Sequence, residues 1–181
     1  SQTVLISIAW PYANAEIHVG NVTGSHLPGD IAARYHRLKG DKVLMVSGTD
    51  SHGTPVTLRA DAEGVSVEQV YKRFHDGFID LFQQVGIQYD LFTTTHTENH
   101  FKVAQSIFLA LNQNGYLLRE SRPQWYSPAS KRFLPDRYVE GTCYICGNTD
   151  ARSDQCEKCG NELEAEKLIE PRSKVDGSTP E

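Results

Sequence analysis

The stretch that decides the fold is Val4-Leu5-Ile6-Ser7-Ile8-Ala9-Trp10-Pro11-Tyr12-Ala13-Asn14-Ala15-Glu16-Ile17-His18-Val19-Gly20-Asn21. Its apolar beginning predicts a buried strand, and its end predicts a helix that opens near Gly20. The unpaired N–H groups and the positive dipole of a helix start favour an anion. His18 and Asn21 add side-chain donors there, and Gly20 lets a ligand approach the backbone. The stretch is therefore a candidate site for ATP.

A second apolar segment, 42–48, predicts a neighbouring strand, and the apolar spacing within 20–39 predicts the connecting helix. Pro28 lies inside that helix, so we expect the regular helix to begin near Pro28 or to bend there. Strands that are apolar on both faces favour a parallel sheet covered by helices, which gives the fold class α/β. Because ligands bind beyond the carboxyl ends of parallel strands, we expect the polar segments 18–21 and 49–53 to form one site.

Two more helices are predicted after the second strand. A short one covers 55–63, and Ser66, with Gln69 three residues later, has the pattern of a capping box at the start of a longer one. The longer helix runs through about Val85 and ends at Gly86. Its amphipathic spacing predicts that six residues face inward, namely Val70, Phe74, Phe78, Leu81, Phe82 and Val85.

Further along, the segment 89–94 favours a strand, and Thr97 is the predicted N-cap of a helix over 100–114. After residue 115 the helical periodicity gives way to short β-like segments rich in Pro, Arg and Tyr. We therefore predict a first domain over 1–115 and a second, smaller one over 116–181.

Composition restricts the kind of protein this is. The 181 residues carry 18 Lys+Arg against 23 Asp+Glu, a formal charge of −5, which argues against broad, nonspecific binding to nucleic acid. No apolar run approaches the roughly 20 residues needed to cross a bilayer. Residues 1–17 lack the basic start and cleavage site of a secretory signal. We expect a soluble, cytoplasmic protein with no membrane partner.

The cysteines form two pairs with the same spacing, Cys143, Cys146, Cys156 and Cys159. Two CxxC turns direct four thiolates to one centre, a donor set that suits tetrahedral Zn²⁺. Gly147 and Gly160 follow the pairs and fit turns in which backbone N–H groups face sulfur. The alternative is two disulfides or unrelated thiols. Four protein ligands leave no open position, so the predicted zinc is structural.

Several motifs in order resemble the methionyl-tRNA synthetases, a family of class I aminoacyl-tRNA synthetases. They are Pro11-Tyr12-Ala13-Asn14, Ile17-His18-Val19-Gly20-Asn21, Gly48-Thr49-Asp50-Ser51-His52-Gly53-Thr54-Pro55, Phe133-Leu134-Pro135-Asp136-Arg137-Tyr138-Val139-Glu140-Gly141-Thr142-Cys143 and Leu168-Ile169-Glu170-Pro171-Arg172-Ser173. The resemblance covers the whole chain. It implies the first half of a Rossmann-like nucleotide-binding domain, followed by a connective insertion with zinc knuckles.

The resemblance also implies the reaction and its residues. Methionine attacks Mg-ATP to give methionyl-adenylate, and the terminal ribose of tRNA(Met) then takes the methionyl group. His18 and Asn21 occupy the catalytic HIGH signature, and the ATP site comprises Pro11, Asn14, His18, Gly20 and Asn21. The methionine site comprises Ala9, Trp10, Tyr12 and Asp50, of which Asp50 receives the α-ammonium. The four cysteines match the zinc ligands, and Mg²⁺ enters with ATP as substrate.

Two features depart from the family pattern. Asn21 replaces the second histidine of the signature, and an amide still donates to a nucleotide oxygen. The family's KMSKS loop, further methionine-pocket walls and anticodon-binding helices have no counterpart here. We therefore expect these 181 residues alone to be inactive or weak, and to have the C-terminal half of the synthetase as a partner. We also expect an exposed sheet edge and apolar face, and hence a dimer, a rearranged boundary or poor solubility.

Simpler interpretations remain open for several residues. Asp50 is alternatively the N-cap of the helix near Pro55, and Trp10 and Tyr12 are alternatively core aromatics. Five histidines without metal spacing are interpreted as surface or packing residues: His26, His36, His75, His96 and His100. A loosely basic stretch is either a solvated face or a border of the tRNA acceptor end, and it comprises Arg119, Arg122, Lys131, Arg132 and Arg137 with Trp125 and Tyr126 interleaved.

Three other functions compete with a methionine-specific ligase. One is a stand-alone zinc-containing module, derived from a synthetase, that binds nucleic acid or protein without catalysis. Another is a ligase assembled from split halves. The third is a class I synthetase of the valine, leucine, isoleucine or cysteine branch, which shares the HIGH-like turn.

Overall fold

The computed structural model describes residues 1–181 except for the side chain of Asp136. The chain forms two compact units, Ser1–Asn114 and Gly115–Glu181. Their interpretation as half of a nucleotide-binding domain and a connective insertion stays a prediction. No helix among the described residues is both long and apolar enough to span a bilayer.

The first unit is built on a parallel sheet of three strands. They are β1 (Thr3–Ser7), β2 (Lys42–Thr49) and β3 (Leu91–Thr94), in the order β1-β2-β3. Thr3 lies opposite Lys42, and Val46 lies opposite Leu91. Parallel pairing confirms the predicted sheet and brings the carboxyl ends of β1 and β2 to one edge, where the site residues follow them.

The connection from β1 to β2 is helical but irregular. One turn of α-helix, α1 (Val19–Asn21), continues as a π-helix (Val22–His26) and then as α2 (Leu27–Leu38). Pro28 has no N–H, so the carbonyl four residues before it lacks its usual donor, and the wider π turn accommodates that position. The predicted start of the regular helix near Pro28 is confirmed.

Two helices, α3 (Thr54–Glu63) and α4 (Val67–Gln84), follow β2, and α4 supplies much of the core. Ser66 and Gln69 form the predicted capping box: Ser66 Oγ accepts from the Gln69 N–H, and Gln69 Oε1 accepts from the Ser66 N–H. The predicted inward residues Val70, Phe74, Phe78 and Phe82 are buried and Leu81 is half-buried. The prediction for Val85 is wrong: it is exposed, because it is the C-cap residue beyond the last turn.

One face of the sheet is not covered by the described residues. This differs from the expected coverage of the strands on both faces, and it agrees with the exposed apolar face that we also expected. Exposure alternates along β1, and Leu5 and Leu44 are exposed. The last helix, α5 (Glu98–Gln113), begins at the predicted cap, where Thr97 Oγ1 accepts from the His100 N–H. α5 has no buried residue, and its apolar side chains, including Ile107, are exposed.

The second unit is made of short antiparallel strands. β4 (Tyr126–Ser127) pairs with β5 (Arg132–Phe133). β6 (Val139–Thr142) is the centre of a three-stranded sheet between β7 (Ala151–Arg152) and β8 (Ile169–Ser173). Gly141 in β6 has no room for a side chain, because a Cβ there would lie 2.9 Å from the carbonyl oxygen of Ile169.

Candidate functional site

Backbone hydrogen bonds join the loop after β1 to the residue that follows β2. The Asp50 N–H donates to the carbonyl of Pro11 over 2.8 Å, and the Ala13 N–H donates to the carbonyl of Asp50 over 3.0 Å. Tyr12 and Asp50 are thus paired like residues of adjacent parallel strands beyond the ends of β1 and β2. The structure therefore brings the predicted methionine-site residues Tyr12 and Asp50 together.

Asp50 presents a half-buried carboxylate whose position is set by its neighbours. Thr49 and Ser51 are fully buried, and side chains alternate along an extended backbone, so Asp50 points away from that buried side. Its Oδ1 accepts from the His52 N–H over 3.4 Å. The alternative that Asp50 caps α3 is wrong, because the N-cap residue is Gly53. The φ of +103° at Gly53 turns the chain into α3.

His18 and Asn21 lie at the exposed start of α1. Asn21 Oδ1 accepts from the His18 N–H over 3.2 Å, which leaves the Asn21 amide nitrogen as a donor toward a ligand. The imidazole of His18 lies over Gly20, where a Cβ would meet its Nδ1 and Cε1 at 3.0 Å. Gly20 thus accommodates the His18 ring, a function in addition to the close ligand approach that the sequence predicts.

The two aromatic residues predicted for the methionine site have different surroundings. Trp10 is half-buried and its ring lies on Gly48 in β2, where a Cβ would be 2.6 Å from Trp10 Cζ3. Tyr12 is 50% exposed, so it is not a core residue. The remaining predicted residues line the same loop: Ala9 is exposed, and Pro11 and Asn14 are half-buried.

The histidines pack as predicted, but two of them make contacts that the sequence did not indicate. His26 is buried, and its Nδ1 lies 2.6 Å from the Tyr89 hydroxyl. His75 Nδ1 lies 2.7 Å from Oγ1 of Thr49, next to Asp50. Burial lowers the pKa of both imidazoles. Thr49 and His75 are 26 residues apart, so only knowledge of how α4 packs on the sheet would have revealed the pair.

A second contact that sequence reasoning missed joins the ends of β2 and β3. The rings of His52 and His96 stack with centroids 5.2 Å apart, and Phe101 lies edge-on to both. The parallel pairing of β2 with β3 could have indicated this contact, since each histidine follows the end of one of these strands.

The four cysteine sulfurs converge as predicted, all within 4.8 Å of one another. Each of the two turns has a glycine at φ +73°, Gly147 or Gly160, whose N–H donates to the carbonyl of the first cysteine of its pair. Cys146 Sγ and Cys156 Sγ are 3.6 Å apart, against about 3.8 Å expected for two thiolates on one tetrahedral Zn²⁺. This distance is too long for a disulfide, which spans about 2.05 Å, and all four thiols are free.

The backbone and the converging sulfurs act in opposite directions on the thiols. N–H groups of Cys159 and Lys158 lower the pKa of the Cys156 thiol, because they stabilise the thiolate, whereas burial and the neighbouring sulfurs raise the pKa of the Cys146 thiol. The donor set, the convergence and the backbone support therefore fit a structural Zn²⁺.

The loosely basic stretch of the second unit is largely engaged with its surroundings. Arg122 pairs with Glu120 at 2.7 Å, and Arg137 lies 3.6 Å from Asp154. Arg132 lies over the ring of Tyr138, 5.0 Å from its centroid. A cleft of about 1040 Å³ in this unit is lined mainly by acidic and apolar residues. These contacts favour a solvated, structural face over a phosphate-binding one.

Comparison with known proteins gives concordant results. The sequence model of the family "tRNA synthetases class I (M)" matches residues 4–181. The chain is 52% identical to the methionine–tRNA ligase of Thermomicrobium roseum over 179 residues, which are 99% of this chain and 31% of the relative. This chain is 50% identical to the methionine–tRNA ligase of Corynebacterium urealyticum over all 181 of its own residues, which match 30% of the relative. The chain thus spans about three tenths of the curated relatives it matches.

A solved structure gives the same likeness in three dimensions. The structure is Mycobacterium tuberculosis methionyl-tRNA synthetase in complex with methionyl-adenylate, which resembles this chain with a TM-score of 0.70 and 25% identity. The match covers 90% of this chain and 30% of that one.

Proposed function

We propose, since this chain belongs to the class I tRNA synthetases of the methionine family, that it carries the ATP and methionine sites of a methionine–tRNA ligase. The observation that supports this most directly is the junction of Tyr12 with Asp50, which holds a half-exposed carboxylate against the loop that follows β1. The M. tuberculosis relative was solved with methionyl-adenylate, the product of methionine and ATP.

In the proposed first step, a carboxylate oxygen of methionine attacks the α-phosphorus of Mg-ATP. The new O–P bond forms as the bond to the β-phosphate breaks, and pyrophosphate leaves. His18 and the Asn21 amide donate to the charge that builds on the phosphates, and Pro11, Asn14 and Gly20 frame the nucleotide. Such transfers depend on positioning and electrostatic stabilisation, so no covalent enzyme intermediate is required.

Methionine is held through its ammonium group by Asp50, with Ala9, Trp10 and Tyr12 as neighbouring walls. A fixed, partly desolvated carboxylate selects a ligand with a free amine. In the second step, a hydroxyl of the terminal ribose of tRNA(Met) attacks the methionyl carbonyl, and AMP leaves. The acceptor end of the tRNA and the rest of the synthetase are the proposed macromolecular partners, and the cytoplasm is the proposed compartment.

Cys143, Cys146, Cys156 and Cys159 are the proposed ligands of a structural Zn²⁺, which would stabilise a module too small to hold together by burial alone. No step of the reaction is assigned to it.

Methionine-dependent exchange of pyrophosphate into ATP, catalysed by the longest gene product that contains this chain, tests the proposal. Asp50→Asn should raise the methionine KM by about 100-fold or more with the ATP KM little changed, since it removes a charged hydrogen-bonding partner. His18→Ala should lower kcat by about 10²–10³-fold, the usual effect of one lost donor to transition-state charge. Asp80→Asn, on the exposed side of α4, is the matched control and should behave as wild type.

Two outcomes would contradict the proposal. Exchange that depends on valine, leucine, isoleucine or cysteine would assign the chain to another class I branch. No exchange with any amino acid, together with retained binding of zinc and tRNA, would favour a stand-alone binding module.

A further inference from the structure

Thr49, the last residue of β2, is fully buried, and its Oγ1 lies 2.7 Å from Nδ1 of His75 on α4. We propose that His75 is a positioning residue for the amino-acid site: through Thr49 it fixes the end of β2 and thereby the carboxylate of Asp50. This inference rests on the proposed function, and in particular on Asp50 as the residue that receives the substrate ammonium.

Asp50 is held from both sides along the chain. The Thr49 carbonyl accepts from the Thr95 N–H over 3.1 Å, and the Ser51 N–H donates to Thr95 Oγ1 over 2.9 Å. Ser51 Oγ also lies 2.5 Å from Thr94 Oγ1. Both neighbours of Asp50 are therefore tied to the end of β3, while Asp50 itself is tied to the loop after β1. Thr49 and Asp50 are consecutive residues of a segment held by hydrogen bonds on both sides, so a shift of Thr49 also moves Asp50.

His75 is the contribution of the helical layer to this arrangement. Its ring stacks on Phe92 of β3 with centroids 5.7 Å apart and an interplanar angle of 21°. Stacking fixes the plane of the imidazole, and the ring nitrogen gives the buried Thr49 hydroxyl a partner. Without Nδ1, that hydroxyl would lose this partner in a site that water does not reach, which favours a rearrangement of the strand end.

The expected consequence concerns binding rather than chemistry. The ion pair between Asp50 and the ammonium is present both in the bound substrate and in the transition state. A displaced carboxylate weakens both states equally, which raises KM and leaves kcat unchanged. ATP does not contact Asp50 in the proposed arrangement, so its KM should not change.

The test uses the longest gene product that contains the chain and measures kcat and both KM values by pyrophosphate exchange. His75→Phe keeps a ring on Phe92 but removes Nδ1, and it should raise the methionine KM by about tenfold, the effect of one hydrogen bond. Its kcat and ATP KM should stay within about twofold of wild type. His75→Asn places an amide nitrogen or oxygen near the position of Nδ1 and should restore most of the methionine affinity.

Thr49 offers a matched pair. Thr49→Val removes the hydroxyl at nearly constant volume and should reproduce the His75→Phe effect, whereas Thr49→Ser keeps the hydroxyl and should behave as wild type. The double variant His75→Phe with Thr49→Val should be no worse than either single variant, because both remove the same contact.

The inference is overturned if His75→Phe leaves the methionine KM unchanged, or if it lowers kcat and raises both KM values together, as general loosening of the fold would. Absence of exchange in the wild-type protein would instead refute the proposed function, so the two failures are distinguishable.

Discussion

Gly48 is the position where the first unit leaves least room for a side chain at the site. An ideal Cβ there would lie 2.6 Å from Cζ3 of Trp10 and 2.7 Å from the carbonyl oxygen of Thr93. Carbon atoms pack best at about 3.5–4.0 Å, so Gly48→Ala lacks roughly 1 Å of space on the Trp10 side. The Thr93 oxygen belongs to the backbone of β3 and cannot rotate away. We expect the variant to lose about 2–3 kcal/mol of unfolding free energy, the upper part of the range for overpacking.

Urea unfolding followed by far-UV circular dichroism measures this loss. All α-helices of the described residues lie within Ser1–Asn114, so the helical signal reports on the unit that contains Gly48. With a slope of about 1–3 kcal/mol/M, the midpoint should fall by roughly 0.7–3 M. Gly77→Ala is the matched control, because a Cβ at Gly77 in α4 meets nothing within 4 Å. It should gain about 0.5–1 kcal/mol from reduced backbone freedom in the unfolded chain.

The two variants make the same chemical change with opposite expected signs. A midpoint for Gly48→Ala at or above that of wild type would refute the close approach of Trp10 to β2. Equal destabilisation by both variants would refute the claim that local space, rather than glycine itself, decides the effect.

Three further outcomes are expected. Purified protein should contain one zinc per chain by elemental analysis, and a strong chelator should abolish the near-UV dichroism of the second unit while the helical signal persists. The free energy of unfolding should fall as the pH drops below about 6.5, because burial lowers the pKa of His26 and the unfolded chain then binds the proton more readily. Urea unfolding of the His26→Leu variant at several pH values should show a weaker dependence of that free energy on pH in this range. Ser66→Ala should lower the free energy of unfolding by about 0.5–2 kcal/mol, measured by thermal or urea melts, because the Gln69 N–H loses its acceptor.

Much of the fold follows from patterns that are local in the chain. The α/β class and the family resemblance are confirmed, and Ser66 begins its helix as expected, because capping depends on residues three positions apart. The cysteine turns are also local, since each pair fixes its own geometry through one glycine.

The errors concern burial, which depends on what packs against an element. Leu5 and Leu44 belong to apolar strands of the kind that helices cover on both faces, yet both side chains are exposed within the described residues, on the apolar face that the family resemblance led us to expect uncovered. Val85 has the helical spacing of a core residue but lies beyond the last turn. Periodicity identifies the apolar face of an element, and it does not identify the partner of that face.

The site was predictable as a set of strand-end segments but not as a set of contacts. The pairing of Asp50 with Tyr12 follows from the rule for parallel sheets. The contact between Thr49 and His75 could be predicted only from knowledge of how α4 is oriented about its own axis on the sheet. The assigned roles of His18, Asn21 and Asp50 remain predictions that the kinetic variants test.

The two tryptophans of the chain are distributed one to each unit. Trp10 is half-buried against Gly48, and Trp125 donates its indole N–H to the carbonyl of Ala165 over 2.9 Å. Each indole is therefore an intrinsic fluorophore for its own part of the molecule. Replacing either one with phenylalanine leaves a single emitter, so that two variants report separately on the two units without an attached dye.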